Sequence, residues 1–149
     1  MTDKIEGGCR CGRIRYQVKL SKLPKVYACH CLDCQTWSGS AFSLQFILTK
    51  DRLEVSGEPK VFDLTSSDGE RVSSQHACAN CFTRVFNTNT ARPGMAVVRA
   101  GTLDHSDQLA IVAHIWTQRK LSGLAIPDGV ATWSQGTSSA DLAKVLENG

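Results

Sequence analysis

The sequence predicts a mainly β protein with one short helix near its C-terminal end. Three observations carry this reading. Residues 13–19 alternate, with Ile14, Tyr16 and Val18 on one side and Arg13, Arg15, Gln17 and Lys19 on the other, the period-two pattern of a half-buried strand. Short β-prone runs then recur along the chain between turn signals. Only the C-terminal segment carries a capped apolar stripe at helical spacing.

After the strand at 13–19, strands are expected at Lys25–Cys29, Ala41–Leu48, Arg52–Ser56, Lys60–Leu64, Arg71–His76, Arg84–Thr88, Met95–Ala100 and Ala110–Thr117. The segments Ser56-Gly57-Glu58-Pro59, Ser67-Asp68-Gly69, Ala91-Arg92-Pro93-Gly94 and Asp104-His105-Ser106-Asp107 punctuate them with residues that turns demand. A helical turn is expected after Cys31, because C-x-x-C knuckles commonly lead into one, with Asp33 as its cap. Ser138-x-x-Asp141 reads as a capping box, and Leu142, Val145 and Leu146 form the stripe before Gly149. No internal repeat or linker interrupts the chain, so residues 1–149 are expected to form a single domain.

A length of 149 residues suits one domain with a proper core. With 42% hydrophobic and 21% charged residues, a disordered tail and a collagen-like repeat are excluded. A membrane span would need roughly 18 consecutive apolar residues, and the sequence has none. The N-terminal segment lacks the apolar core of a secretory signal, and no lipidation motif closes the C-terminal one. The expected compartment is therefore the cytoplasm, where thiols stay reduced. The formal charge of +3 comes without a basic run or an aromatic-and-arginine stretch, which argues against a nucleic-acid partner.

The seven cysteines are the informative residues. They fall as Cys9-x-Cys11, Cys29-x-Cys31-x-x-Cys34 and Cys78-x-x-Cys81, with none outside a cluster. An odd number cannot be fully paired within one chain. Reduced, clustered thiolates read as metal ligands, with tetrahedral zinc the usual occupant. Seven ligands divide as four plus three. A site of four thiolates is closed and structural, whereas three leave a position open, as in catalytic zinc sites. Spacing alone leaves the division open, and His30 or His76 is the alternative as an eighth ligand.

Several segments together resemble the glutathione-dependent formaldehyde-activating enzyme and centromere protein V family. They are Gly7-Gly8-Cys9-Arg10-Cys11-Gly12, Cys29-His30-Cys31-Leu32-Asp33-Cys34 and Ser38-Gly39-Ser40-Ala41-Phe42. Cys78-Ala79-Asn80-Cys81, Ala100-Gly101-Thr102-Leu103-Asp104 and His114-Ile115-Trp116 continue the likeness, which spans about residues 7–117. The resemblance implies a β-tent fold, small antiparallel sheets pinned by zinc. It also implies that Cys9, Cys11, Cys78 and Cys81 hold a structural zinc, and that Cys29, Cys31 and Cys34 hold a catalytic-type one. The implied activity is that of a carbon–sulfur lyase interconverting S-hydroxymethylglutathione with glutathione and formaldehyde, glutathione being the cosubstrate. The chain departs from the family in carrying Phe82 where glycine usually follows the second C-x-x-C. It also has Arg119-Lys120-Leu121-Ser122-Gly123 where a Pro-Trp pair is common.

A zinc ion bound by three thiolates is a weaker Lewis acid than one bound by three histidines. Capture of a substrate thiol is therefore expected over hydroxide generation. His30, between two ligand cysteines, is the candidate to orient a thiolate or relay a proton. Arg10, Arg13, Arg84 and Arg99 are candidates for the glutathione carboxylates, and His114 and Trp116 are expected to pack on one strand face. The competing function is a non-catalytic, zinc-stabilised interaction module. Seven thiolates and two dications would lower the formal charge by three, to about zero, so the mild basicity is no pointer to an acidic partner.

Overall fold

The computed structural model describes residues 4–148 and divides into two units. The first comprises the chain up to Leu23 together with Ile47–Asp107; the second comprises Pro24–Phe46 and the chain from Gln108 onward. The Gly149 stop expected for the last helix lies outside the described residues.

In the first unit, strand β1 (Lys4–Gly8) pairs antiparallel with β2 (Arg15–Lys19), which pairs antiparallel with β5 (Leu53–Ser56). The alternation of β2 works as its sequence predicts: Tyr16 and Val18 are buried, and Ile14 just before it is too. β1 carries no β-branched run, and what makes it fit is its glycines. Gly7 sits opposite Tyr16, and a Cβ there would lie 2.4 Å from the tyrosine ring and 2.6 Å from the Thr102 carbonyl oxygen. At Gly8 a Cβ would lie 2.4 Å from the carbonyl oxygen of Ile14. Only a residue without a side chain lets the strands approach this closely.

The same unit contains an antiparallel meander of β6 (Lys60–Thr65), β7 (Val72–Ala77), β8 (Arg84–Asn89) and β9 (Met95–Arg99). Val85, Ala96 and Val98 supply its fully buried apolar positions. The register of β7 against β8 shifts between His76 and Ala77, immediately before the Cys78 knuckle.

The second unit is a small sheet in the order β11 (Ala131–Thr132), β10 (Ile111–Ile115), β3 (Val26–Cys29), β4 (Ser43–Thr49), the last strand continuing into the first unit. β3 pairs antiparallel with β4 and parallel with β10. All four residues of β3 are buried, which is why it reads as a continuous apolar run and not as an alternation. Helix α1 (Leu32–Ser38) follows the cysteine trio and ends on Gly39, whose φ of 63° is the left-handed stop that glycine tolerates. Its N-cap is Cys31 and not Asp33, because the Cys31 sulfur accepts the amide hydrogen of Cys34.

Helix α2 (Ser139–Asn148) packs against β10 and buries Leu142. Ser138 Oγ accepts the Asp141 amide at 3.0 Å and donates to its carboxylate at 2.8 Å, so the expected cap forms. The strand expected over Ala110–Thr117 is shorter than its sequence suggests. Trp116 adopts φ 57°, in the left-handed region, which ends β10 at Ile115 and removes Trp116 from the face that carries His114. The mainly β class with a short C-terminal helix holds. Among the described residues no helix is long and apolar enough to cross a membrane.

Candidate metal centres and active site

The cysteines gather into two groups, and each group lies within one unit. In the first unit Cys9, Cys11, Cys78 and Cys81 bring their sulfurs within 4.8 Å of one another. Two short turns present them. Cys9 N–H donates to the Ile14 carbonyl (2.9 Å), and the Cys9 sulfur accepts the Ile14 amide (3.2 Å). In the second turn Cys78 N–H donates to the Thr83 carbonyl and Phe82 N–H to the Cys78 carbonyl, both at 2.9 Å. Thr83 ties the turns together, its hydroxyl accepting the Arg10 amide at 3.1 Å while lying 3.2 Å from the Cys81 sulfur. That hydroxyl and the Thr83 backbone pull the Cys81 thiol down to about 5, and the Arg13 backbone amide lowers Cys11.

In the second unit Cys29, Cys31 and Cys34 form the other group, also within 4.8 Å. Among the described residues no fourth histidine, cysteine or carboxylate atom completes it, and neither His30 nor His76 stands in either group. The three thiols hydrogen-bond one another unequally: Cys31 is held far below its ordinary value by Cys29 and Cys34, and the same contacts push Cys29 up. Three sulfurs this close cannot all ionise unless a cation compensates them.

Both groups fit zinc. All seven cysteines are free of disulfides. The Cys9–Cys11 and Cys11–Cys78 sulfur separations are 3.6 and 3.7 Å. A tetrahedron with Zn–S bonds of about 2.3 Å has an edge of about 3.8 Å.

A buried polar pair reaches the trio, and a histidine pair packs in the same unit. Tyr27 donates its hydroxyl to Gln45 Oε1 (2.8 Å), which turns the amide nitrogen of Gln45 toward the Cys34 sulfur at 3.5 Å. His30 is fully buried, its ring against Phe42 (5.3 Å between centroids) and stacked on His114. His30 Nε2 and His114 Nδ1 lie 2.8 Å apart, within hydrogen-bond distance. Burial lowers both imidazoles below their ordinary values, and the neighbouring His114 and Lys120 lower His30 further. His30 Nδ1 is buried without a hydrogen-bond partner among the described residues. Backbone bonds fix the same residue: His30 N–H donates to the Ile115 carbonyl, and the His30 carbonyl accepts Gln35 Nε2 at 2.8 Å.

The segment Ala100–Asp104 turns out to brace the N-terminal knuckle. Thr102 Oγ1 lies 2.8 Å from the buried Tyr16 hydroxyl, Leu103 bridges to Gly7, and Asp104 takes Arg15 in a two-pronged ion pair at 2.9 and 2.5 Å. Of the candidate arginines, Arg84 donates to Gln75 (3.2 Å) and the buried Arg99 to Asn87, and Arg10 contributes its amide to Thr83.

The family model described as glutathione-dependent formaldehyde-activating enzyme matches residues 4–119. The chain belongs to this family. Among solved structures, a crystal structure of a Rhodobacter sphaeroides protein is similar over 87% of this chain and 99% of its own length, at 16% identity and a TM-score of 0.52, a likeness of fold. No curated protein matches the sequence. The span matched by the formaldehyde-activating family holds both cysteine groups and the His30–His114 pair, and it leaves β11 and α2 outside.

Proposed function

We propose that the chain is a zinc-dependent carbon–sulfur lyase acting on a glutathione adduct, S-hydroxymethylglutathione or a related thiol adduct, and that residues 1–149 work as one domain in the cytoplasm. Cys9, Cys11, Cys78 and Cys81 would bind a structural zinc, and Cys29, Cys31 and Cys34 a second one. The observation that carries the reading is the trio of converging sulfurs with no fourth protein donor among the described residues, which suits an open, reacting metal site. Zinc bound there would stabilise a substrate sulfur as thiolate, the group that adds to or leaves an aldehyde carbon.

In the cleavage direction the C–S bond breaks with its electron pair going to sulfur. The hydroxyl of the adduct loses its proton as the carbonyl forms. Gln45, oriented by Tyr27, holds the Cys34 sulfur in place through a hydrogen bond. His30 is tied by its backbone between Cys29 and Cys31, and its hydrogen-bonded pair with His114 would accept the released proton. An interaction module without catalysis would gain nothing from a three-donor site.

Cobalt substitution tests the reading. Adding glutathione should change the visible absorption of the cobalt protein, and the zinc protein should accelerate release of formaldehyde from S-hydroxymethylglutathione. An unchanged spectrum together with no acceleration would remove the lyase reading.

A further inference from the structure

The first unit holds a cleft of about 410 Å³ that no cysteine lines, a size within the range of small-molecule sites. Its floor is set by strand register. One row across β6, β7 and β8 is Val61, His76 and Phe86; the next contributes Ser74 and Thr88, with Asp63 beside them outside the lining. Lys50, in the turn before β5, and Leu53 and Val55 of β5 form the facing wall. Phe86 is buried at the base of the row, while Val55 and Val61 stay open to water at 36% and 49% exposure. Apolar surface lining a concavity is unfavourable until something covers it.

The polar groups give this cleft a direction. The His76 ring lies flat on Phe86, with centroids 4.1 Å apart and planes 13° apart, making a flat aromatic surface with a ring N–H at its edge. The acid in the second row, Asp63, accepts the Ser74 hydroxyl at 2.6 Å. Lys50 is the cation at the His76 end, and the hydroxyls lie toward the Asp63 end.

We propose that this cleft is a binding site for a small carboxylate with an apolar, preferably aromatic, body. The body would lie across Val55, Val61 and the His76–Phe86 stack, and the carboxylate would meet the Lys50 ammonium. The site stands on first-unit residues alone and is independent of the lyase reading.

The test is a titration of the isotope-labelled, zinc-loaded protein with 3-phenylpropionate, followed by amide chemical shifts. Saturable shifts are expected at Lys50, Val55, Val61, Ser74, His76 and Phe86. Neutral 3-phenylpropanol should bind about two- to fivefold more weakly. Lys50→Gln should weaken the acid by a similar factor and leave the alcohol unchanged. A flat titration, shifts centred on the cysteine groups, or equal binding of acid and alcohol would overturn the proposal.

Discussion

The two cysteine groups use the same ligand chemistry in opposite ways. In the first unit the sulfurs come from turns far apart in the chain: Cys11 and Cys78, 67 residues apart in sequence, end 3.7 Å from one another. Backbone amides, the Thr83 hydroxyl and the Asn80 side chain surround them. In the second unit all three sulfurs come from the single stretch Cys29–Cys34, the Gln45 side chain reaches the Cys34 sulfur, and His30, between two of the cysteines in sequence, pairs with His114. Joining distant segments replaces a large loop-closure entropy, whereas joining neighbours replaces little. On the proposed reading the first group would hold the fold, and the second would lose its ion while the fold remains.

The comparison is open to attack from several sides. Cys78→Ser should have the largest effect. Binding free energies of structural zinc reach about 10–16 kcal/mol in small domains, comparable to or above a whole domain's stability. Circular dichroism of this variant should show no cooperative β unfolding transition. Cys31→Ser should lower thermal stability far less while taking lyase turnover below detection. If both variants unfold alike, the contrast between the groups fails.

Smaller effects probe the surroundings of each group. His114→Leu leaves the buried Nε2 of His30 without its partner, which should cost about 1–3 kcal/mol in denaturant midpoint terms. The same change should slow turnover by about ten- to hundredfold with two zinc ions still bound. In the first unit, Phe82 holds φ 62° and exposes 81% of its surface, so its strain is not offset by packing. Phe82→Gly should raise the stability of the zinc-loaded protein by about 1 kcal/mol, read as a higher Tm.

The smallest change expected is that of Asp104→Asn, which removes the ion pair with Arg15. Both side chains are about two-fifths exposed, so screening keeps the loss well under about 1 kcal/mol. The Arg15 guanidinium holds the Asp104 carboxyl below the usual range. Its stabilisation is present above the ordinary carboxylate pKa and lost only as pH falls through the lowered one. The difference between variant and parent should therefore stay constant from pH 8 to pH 5 in urea titrations.

Much of this was legible in the sequence, for identifiable reasons. Alternation located β2, because one face of that strand is buried and the other wet. Turn residues bounded the meander from β6 to β9. Cysteine spacing marked both groups, since a knuckle is a local motif. Three features depended on tertiary contact. β1 has no strand-like pattern, because its Gly7 and Gly8 are selected by the close approach of Tyr16 and Ile14. His114 reads as one buried position among others until β10 is laid parallel to β3, which sets it beside His30. Gln45 likewise acquires meaning only from the Tyr27 hydroxyl that orients it. Trp116 misled because a single left-handed residue ends a strand without any glycine to announce it.

Metal stoichiometry under graded chelation tests the central claim most directly. The protein as isolated should carry two zinc ions per chain. A mild chelator should remove one of them with loss of turnover and an unchanged circular dichroism spectrum, and only a strong chelator should remove the second and unfold the chain. A single zinc per chain, or simultaneous loss of both ions with the fold, would contradict the assignment of one group to structure and the other to chemistry.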